Sequence, residues 1–99
     1  MALLDLAGRR WALRIIWELH LAGEPVTFRG LRSACDDVSS SVLAKRLAEL
    51  SANLLVTHQG DGYALTDLGE SLVTSMQPLF DWSRTWSRKV SRAKPPDAD

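Results

Sequence analysis

The stretch TFRGLRSACDDVSSSVLAKRLAEL, Thr27 to Leu50, decides the fold. It reads as two short helices on either side of Asp36-Asp37. Thr27 is an N-cap type residue, able to satisfy an orphan amide of a helix running to about Cys35. Phe28, Leu31 and Cys35 then share the inward face, and Arg29 and Arg32 the outward one. Asp36 and Asp37 make the turn. Ser39 or Ser40 caps a second helix to roughly Asn53, with Leu43, Leu47, Leu50 and Leu54 on its inward stripe. The opposite face offers little more than Ser41, Ala44, Lys45 and Ala48, a surface of small side chains around one cation.

Upstream, WALRIIWELHL (Trp11 to Leu21) is a helix in which Ala12, Ile15, Ile16 and Leu19 form a core face. Trp11, Leu13, Trp17 and Leu21 are apolar as well but lie elsewhere on the cylinder, so this helix asks to be covered on more than one side. Gly23 is a natural left-handed stop for it. Downstream the period changes. LLVTHQ (Leu54 to Gln59) and GYALT (Gly62 to Thr66) are strand-like pieces around Gly60-Asp61-Gly62, a hairpin signal because a tight turn needs positive φ. Thr66 then caps a long last helix carrying Leu68, Leu72, Met76, Leu79, Trp82 and Trp86 at helical spacing. Pro78 lies within it and is expected to kink or interrupt it near Gln77.

Two short helices joined by a tight turn and followed by a hairpin make a winged helix-turn-helix, a mainly α fold with a small β-hairpin wing. One domain over residues 1–94 accounts for the pattern, with 95–99 as a disordered tail. In such folds the second helix of the pair enters the DNA major groove while the first crosses the backbone. That casts Thr27–Cys35 as the positioning helix and Ser40–Asn53 as the reader. The serines and free amides at the reader's start suit phosphate oxygens.

Composition narrows the function. The 99 residues are 45% hydrophobic, enough for one modest core, and the net charge is zero. No overall field draws the chain to a polyanion, so DNA would have to be met by a local patch. From Thr27 to His58, Arg29, Arg32, Lys45 and Arg46 outnumber Asp36, Asp37 and Glu49 by one. A second basic run, Arg84, Arg88, Lys89, Arg92 and Lys94, either extends a phosphate track or solubilises the tail. The single Cys35 excludes an internal disulfide, and with no signal-like start and no membrane-length apolar run the reading is cytoplasmic.

The motifs Gly8-Arg9-Arg10-Trp11, Phe28-x-x-Leu31, Val42-Leu43-x-x-Arg46-Leu47-x-x-Leu50 and Tyr63-x-Leu65-Thr66-x-x-Gly69 stand in order over roughly Leu4 to Trp86. Together they resemble the HxlR-type winged helix-turn-helix transcriptional regulators, within the MarR-like superfamily. The resemblance implies a homodimer held by its first and last helices, with one reader helix in each half of a near-palindromic operator and the wing on flanking backbone. The chain departs from the family pattern in three ways. Ser41 stands where lysine is frequent, and the wing is clipped to His58-Gln59-Gly60-Asp61-Gly62. The frequent N-terminal cysteine is missing.

The candidate DNA contacts are therefore Ser39, Ser40, Ser41, Lys45 and Arg46 on the reader, Thr27 and Arg29 on the positioning helix, and His58 and Gln59 on the wing. Leu13, Trp17, Phe80, Trp82 and Trp86 are candidates for a dimer interface or for a pocket that stacks a planar hydrophobic ligand. Trp11 reads as core and Cys35 as inert packing. His20 reads as a helix C-terminal residue favoured by the dipole. His20 and His58 are too isolated for a metal site, and the serines have no His–acid pair to activate them, so neither cofactor nor catalysis is expected. The alternative to a DNA-binding regulator is a small-molecule-binding or protein-interaction module on the same scaffold.

Overall fold

A computed structural model describes residues 2–7 and 9–93, without the side chains of Ala2, Leu3 and Ala7. The expected tail 95–99 lies outside the described residues. The elements run α1 (Ala2–Ala7), α2 (Ala12–Ala22), β1 (Val26–Thr27), α3 (Phe28–Ala34), α4 (Ser40–Ala52), β2 (Val56–Gln59), β3 (Gly62–Leu65) and α5 (Asp67–Ala93).

The helix stripes read from the sequence form the core. Ala12, Ile15, Ile16 and Leu19 of α2 are buried, and Ile15, Ile16 and Leu19 pack with Leu31, Cys35, Val38, Leu43, Leu47 and Leu50. Trp11 lies half-buried against this cluster in a left-handed backbone conformation (φ 76°), a strained state for a bulky residue. Gly23 ends α2 at φ 69°, as its lack of a Cβ predicts.

Two elements escaped the sequence reading. The short helix α1 precedes the first expected one. The strand β1, only two residues long, pairs with β3 and makes the wing a three-stranded antiparallel sheet of order β1-β3-β2. Gly62 permits this pairing: a Cβ there would stand 3.0 Å from the backbone of Val26. In the hairpin itself Val56 faces Leu65 and Gln59 faces Gly62 across the turn.

Two expectations are corrected. Leu54 does not continue the buried stripe of α4. The helix stops at Ala52, Leu54 turns left-handed (φ 65°), and its side chain is 67% exposed. The chain thereby swings round so that Leu55 and Val56 point inward instead. Pro78 does not interrupt α5, which runs as one 27-residue helix, roughly 40 Å long at 1.5 Å per residue. Only Gly69 and Val73 of α5 are buried, both in its first two turns, with Leu72 half-buried against the core and Phe80 against Trp17.

Candidate nucleic-acid interface

The helix-turn-helix pair is set by two caps. Thr27 Oγ1 accepts from the Gly30 amide at 3.0 Å, and Ser39 Oγ accepts from the Val42 amide at 3.2 Å. Ser39 is thus the N-cap of α4, and its hydroxyl also lies 3.4 Å from that of Ser41. Between the helices, Asp36 and Asp37 both carry positive φ, 56° and 57°, a region that aspartate tolerates better than most residues. Arg32, exposed on α3, folds over this turn, its Nε donating to the Val38 carbonyl at 2.7 Å.

On α4 burial separates two faces. Leu43, Leu47 and Leu50 face the core, and Ser40, Ser41, Ala44, Lys45 and Ala48 face solvent. The small residues leave the helix backbone close to its outer surface, with Lys45 the cation in the middle. Arg46 differs from its sequence reading. It does not project outward. Its side chain is only 13% exposed, because position 46 falls at the edge of the buried stripe, and it bonds the Glu49 carboxylate at 2.6 Å. Its Nε is buried without a partner among the described residues.

Arg29 is exposed on α3, beside the positioning end of the motif. On the wing His58 and Gln59 are exposed, as are Gly60 and Asp61 at the tip. The His58 ring is steadied edge-on against Tyr63, the centroids 4.6 Å apart. The structure thus brings together Ser40, Ser41 and Lys45 on one exposed face. Thr27 and Ser39 already spend their hydroxyls on capping, and Arg46 spends its charge on Glu49.

The second candidate group divides in two. Leu13, Trp17 and Phe80 line an open cleft of about 420 Å³ between α2 and α5, with Arg14, Ser83 and Arg84 at its polar side. Trp17 meets Phe80 edge-on at 5.0 Å. Arg84 pairs with Asp81. Trp82 and Trp86 lie elsewhere on α5, stacked nearly parallel at 5.9 Å and both more than half exposed. His20, in the last turn of α2, has its Nδ1 2.9 Å from Glu70 and so ties α2 to α5.

Cys35 is fully buried, as read. Burial pushes its thiol above the ordinary range, while the positive charge of Arg14 opposes that rise. This Arg14 neighbour is one the sequence did not reveal, since α2 and α3 meet only in the folded chain. Among the described residues no three metal-ligating groups converge, and no helix is long and apolar enough to cross a membrane.

A capped helix pair with an exposed small-residue face, followed by a sheet whose hairpin reaches into solvent, defines a winged helix-turn-helix protein. Residues 6–91 match the model of the HxlR-like helix-turn-helix family, and the chain belongs to that family. The family is one of DNA-binding transcriptional regulators, not of enzymes. Among solved structures, a candidate HxlR family transcriptional factor from Thermoplasma volcanium is similar at 30% identity and TM-score 0.77, over 86% of this chain and 81% of that one. Quinone-bound YodB from B. subtilis is similar at 31% identity and TM-score 0.70, over 89% and 93%. A candidate MarR family regulator from Enterococcus faecalis V583 shares 26% identity at TM-score 0.76, over 90% and 86%.

Proposed function

We propose that this protein is a homodimeric, sequence-specific DNA-binding regulator that acts in the cytoplasm on a near-palindromic operator. One observation carries the reading: α4 exposes a face of Ser40, Ser41, Ala44, Lys45 and Ala48 on a helix otherwise anchored by three buried leucines. Small side chains let the helix sink into a major groove, the serine hydroxyls can donate to base edges or phosphates, and Lys45 neutralises a phosphate. Arg29, exposed on α3, and His58 and Gln59 on the wing supply flanking backbone contacts. Arg46 acts indirectly, through its bond to Glu49. Thr27 and Ser39 present the helices rather than touch DNA through their hydroxyls.

The exposed surface of α5 supports the dimer reading. Beyond Val73 no described residue of α5 is fully buried, and Leu79, Trp82 and Trp86 are exposed. A second copy covering these residues would hold two α4 helices at about 34 Å, one helical turn of DNA. The test is fluorescence-anisotropy titration of a labelled fragment from the protein's own promoter, at several salt concentrations. Binding that exceeds a scrambled fragment and weakens with salt supports the reading. Equal, negligible binding to both fragments removes it.

A second reading rests on the cleft of Leu13, Trp17 and Phe80, whose aromatic walls suit a planar hydrophobic ligand. The quinone-bound relative lends this weight. On this reading the chain is a small-molecule-binding module, with or without useful DNA affinity. Tryptophan fluorescence decides it: saturable quenching by quinone-type compounds that is lost in Trp17→Phe and in Phe80→Ala supports a site, and linear quenching alone does not.

A further inference from the structure

The turn between α3 and α4 is one that L-residues adopt reluctantly, with Asp36 and Asp37 in succession at φ 56° and 57°. Such conformations persist only where surrounding contacts over-determine them. Some of those contacts are local. The Asp37 amide donates to the Arg32 carbonyl at 3.0 Å, and the Arg32 side chain reaches forward to Val38. The others come from a different element. Arg14 on α2 donates from one terminal nitrogen to the Ala34 carbonyl at 2.9 Å and from the other to the Asp36 carboxylate at 3.3 Å. Its Nε donates to Glu18 at 3.0 Å, which aims the fork.

Among the described residues these are the only side-chain hydrogen bonds that join the end of α3 and the turn to another element. The Ala34 carbonyl is one of the last in α3 and has no intrahelical donor, so a cation there satisfies both the acceptor and the helix dipole. Cys35 and Val38 are also buried in the core and hold the turn inward. Apolar burial is non-directional, however, and does not set the rotation of the turn about that anchor. A planar guanidinium bonded to three acceptors does.

We propose that Arg14 is a positioning residue for DNA reading: it clamps the helix-turn-helix turn to α2 and so sets the pose of α4 relative to the scaffold. This rests on α4 being the reader. The chain contains its own reporter, because Cys35 is its single cysteine and sits fully buried beside the clamp. The positive charge of Arg14 favours the Cys35 thiolate, so electrostatics alone makes an arginine-free variant react more slowly with thiol reagents. Opening of the turn makes it react faster.

The experiment compares wild type, Arg14→Met and Arg14→Lys for reaction with an aromatic disulfide reagent under native conditions, for melting temperature, and for binding to the promoter fragment. Lysine keeps the charge but cannot span three acceptors. The expected result is a thiol reaction about tenfold faster or more in both variants with the melting temperature nearly held, as for local opening. DNA affinity falls in parallel with an unchanged salt slope, since no phosphate contact is lost. If Arg14→Met does not fold, Asp36→Asn removes the charge at the other end of the clamp while keeping a residue suited to positive φ, and is expected to speed the reaction as well. A thiol rate unchanged or slowed in the folded variants overturns the clamp, and a salt slope reduced by about one with that same rate makes Arg14 a phosphate contact instead. If wild type binds no DNA, the α4 reading falls, while the thiol rate still decides whether Arg14 holds the turn.

Discussion

Gly69, in the first turn of α5, packs directly against the backbone carbonyl of Leu55. A methyl group at Gly69 would run into that oxygen and come within 3.1 Å of the Leu65 side chain. The carbonyl cannot withdraw, because it accepts from the Thr66 amide at 3.0 Å. Thr66 adds to the junction, its hydroxyl donating to the Leu54 carbonyl at 2.6 Å and accepting from the Gly69 amide at 3.0 Å. The exit of α4, the end of the wing and the start of α5 therefore meet at one glycine.

Alanine is a better helix former than glycine by up to about 1 kcal/mol. Here the clash outweighs that gain. Gly69→Ala is expected to lose about 2–3 kcal/mol, as overpacking typically costs, and to melt roughly 10–20 °C lower in calorimetry. A variant as stable as wild type would show that α5 shifts freely at this junction.

The raised Cys35 thiol makes stability depend on alkaline pH. In the unfolded chain the thiol ionises in its ordinary range, whereas in the fold burial keeps it protonated to higher pH. Above the unfolded value the unfolded state binds fewer protons, so stability falls as pH rises toward the folded value. Urea unfolding of wild type should show this loss as pH rises above the ordinary thiol range of about 8.5, and Cys35→Ala should show less of it. Identical slopes would mean that the thiol titrates alike in both states.

Lys45 stands in the middle of the exposed face of α4. Lys45→Ala is expected to weaken binding to the promoter fragment and to reduce the salt slope by about one. Stability should change by less than about 0.5 kcal/mol, as for most surface substitutions. An unaltered titration would take Lys45 out of the interface.

Trp82 and Trp86 stack on each other at 60% and 54% exposure, an unusual state for two indoles in a chain of this size. The double substitution to serine should leave the helix-turn-helix core intact by circular dichroism. In sedimentation velocity it should shift a dimer to a monomer, with operator affinity falling together with self-association. A wild-type chain that sediments as a monomer at micromolar concentration would remove the paired-reader geometry altogether.

Much of the local order was legible in the residues. The cap Thr27, a serine cap at Ser39 or Ser40, the stop at Gly23, the stripes of α2 and α4 and the Gly60-Asp61-Gly62 hairpin follow from hydroxyl chemistry, apolar period and backbone freedom, which act within a few residues. The ordered motifs from Arg9 to Gly69 carried the family as well, because each marks a place where backbone or core tolerates few side chains. Periodicity failed at the edges of elements. Leu54 keeps the spacing of the α4 stripe, yet the helix ends before it, and Arg46 lies one step off the exposed face.

What sequence alone determined about this protein is therefore most of its elements, their caps and its class. Only the tertiary structure decided which cations remain free to meet a partner. Arg46 is turned aside by Glu49, Arg32 by the Val38 carbonyl and Arg14 by the turn it holds, while Lys45 and Arg29 stay exposed. It also revealed β1, α1 and the Gly69–Leu55 contact. The physical reason is range: propensity and period are properties of neighbours along the chain. The partner of a charge or of a missing Cβ is set by segments that meet only after the core has closed.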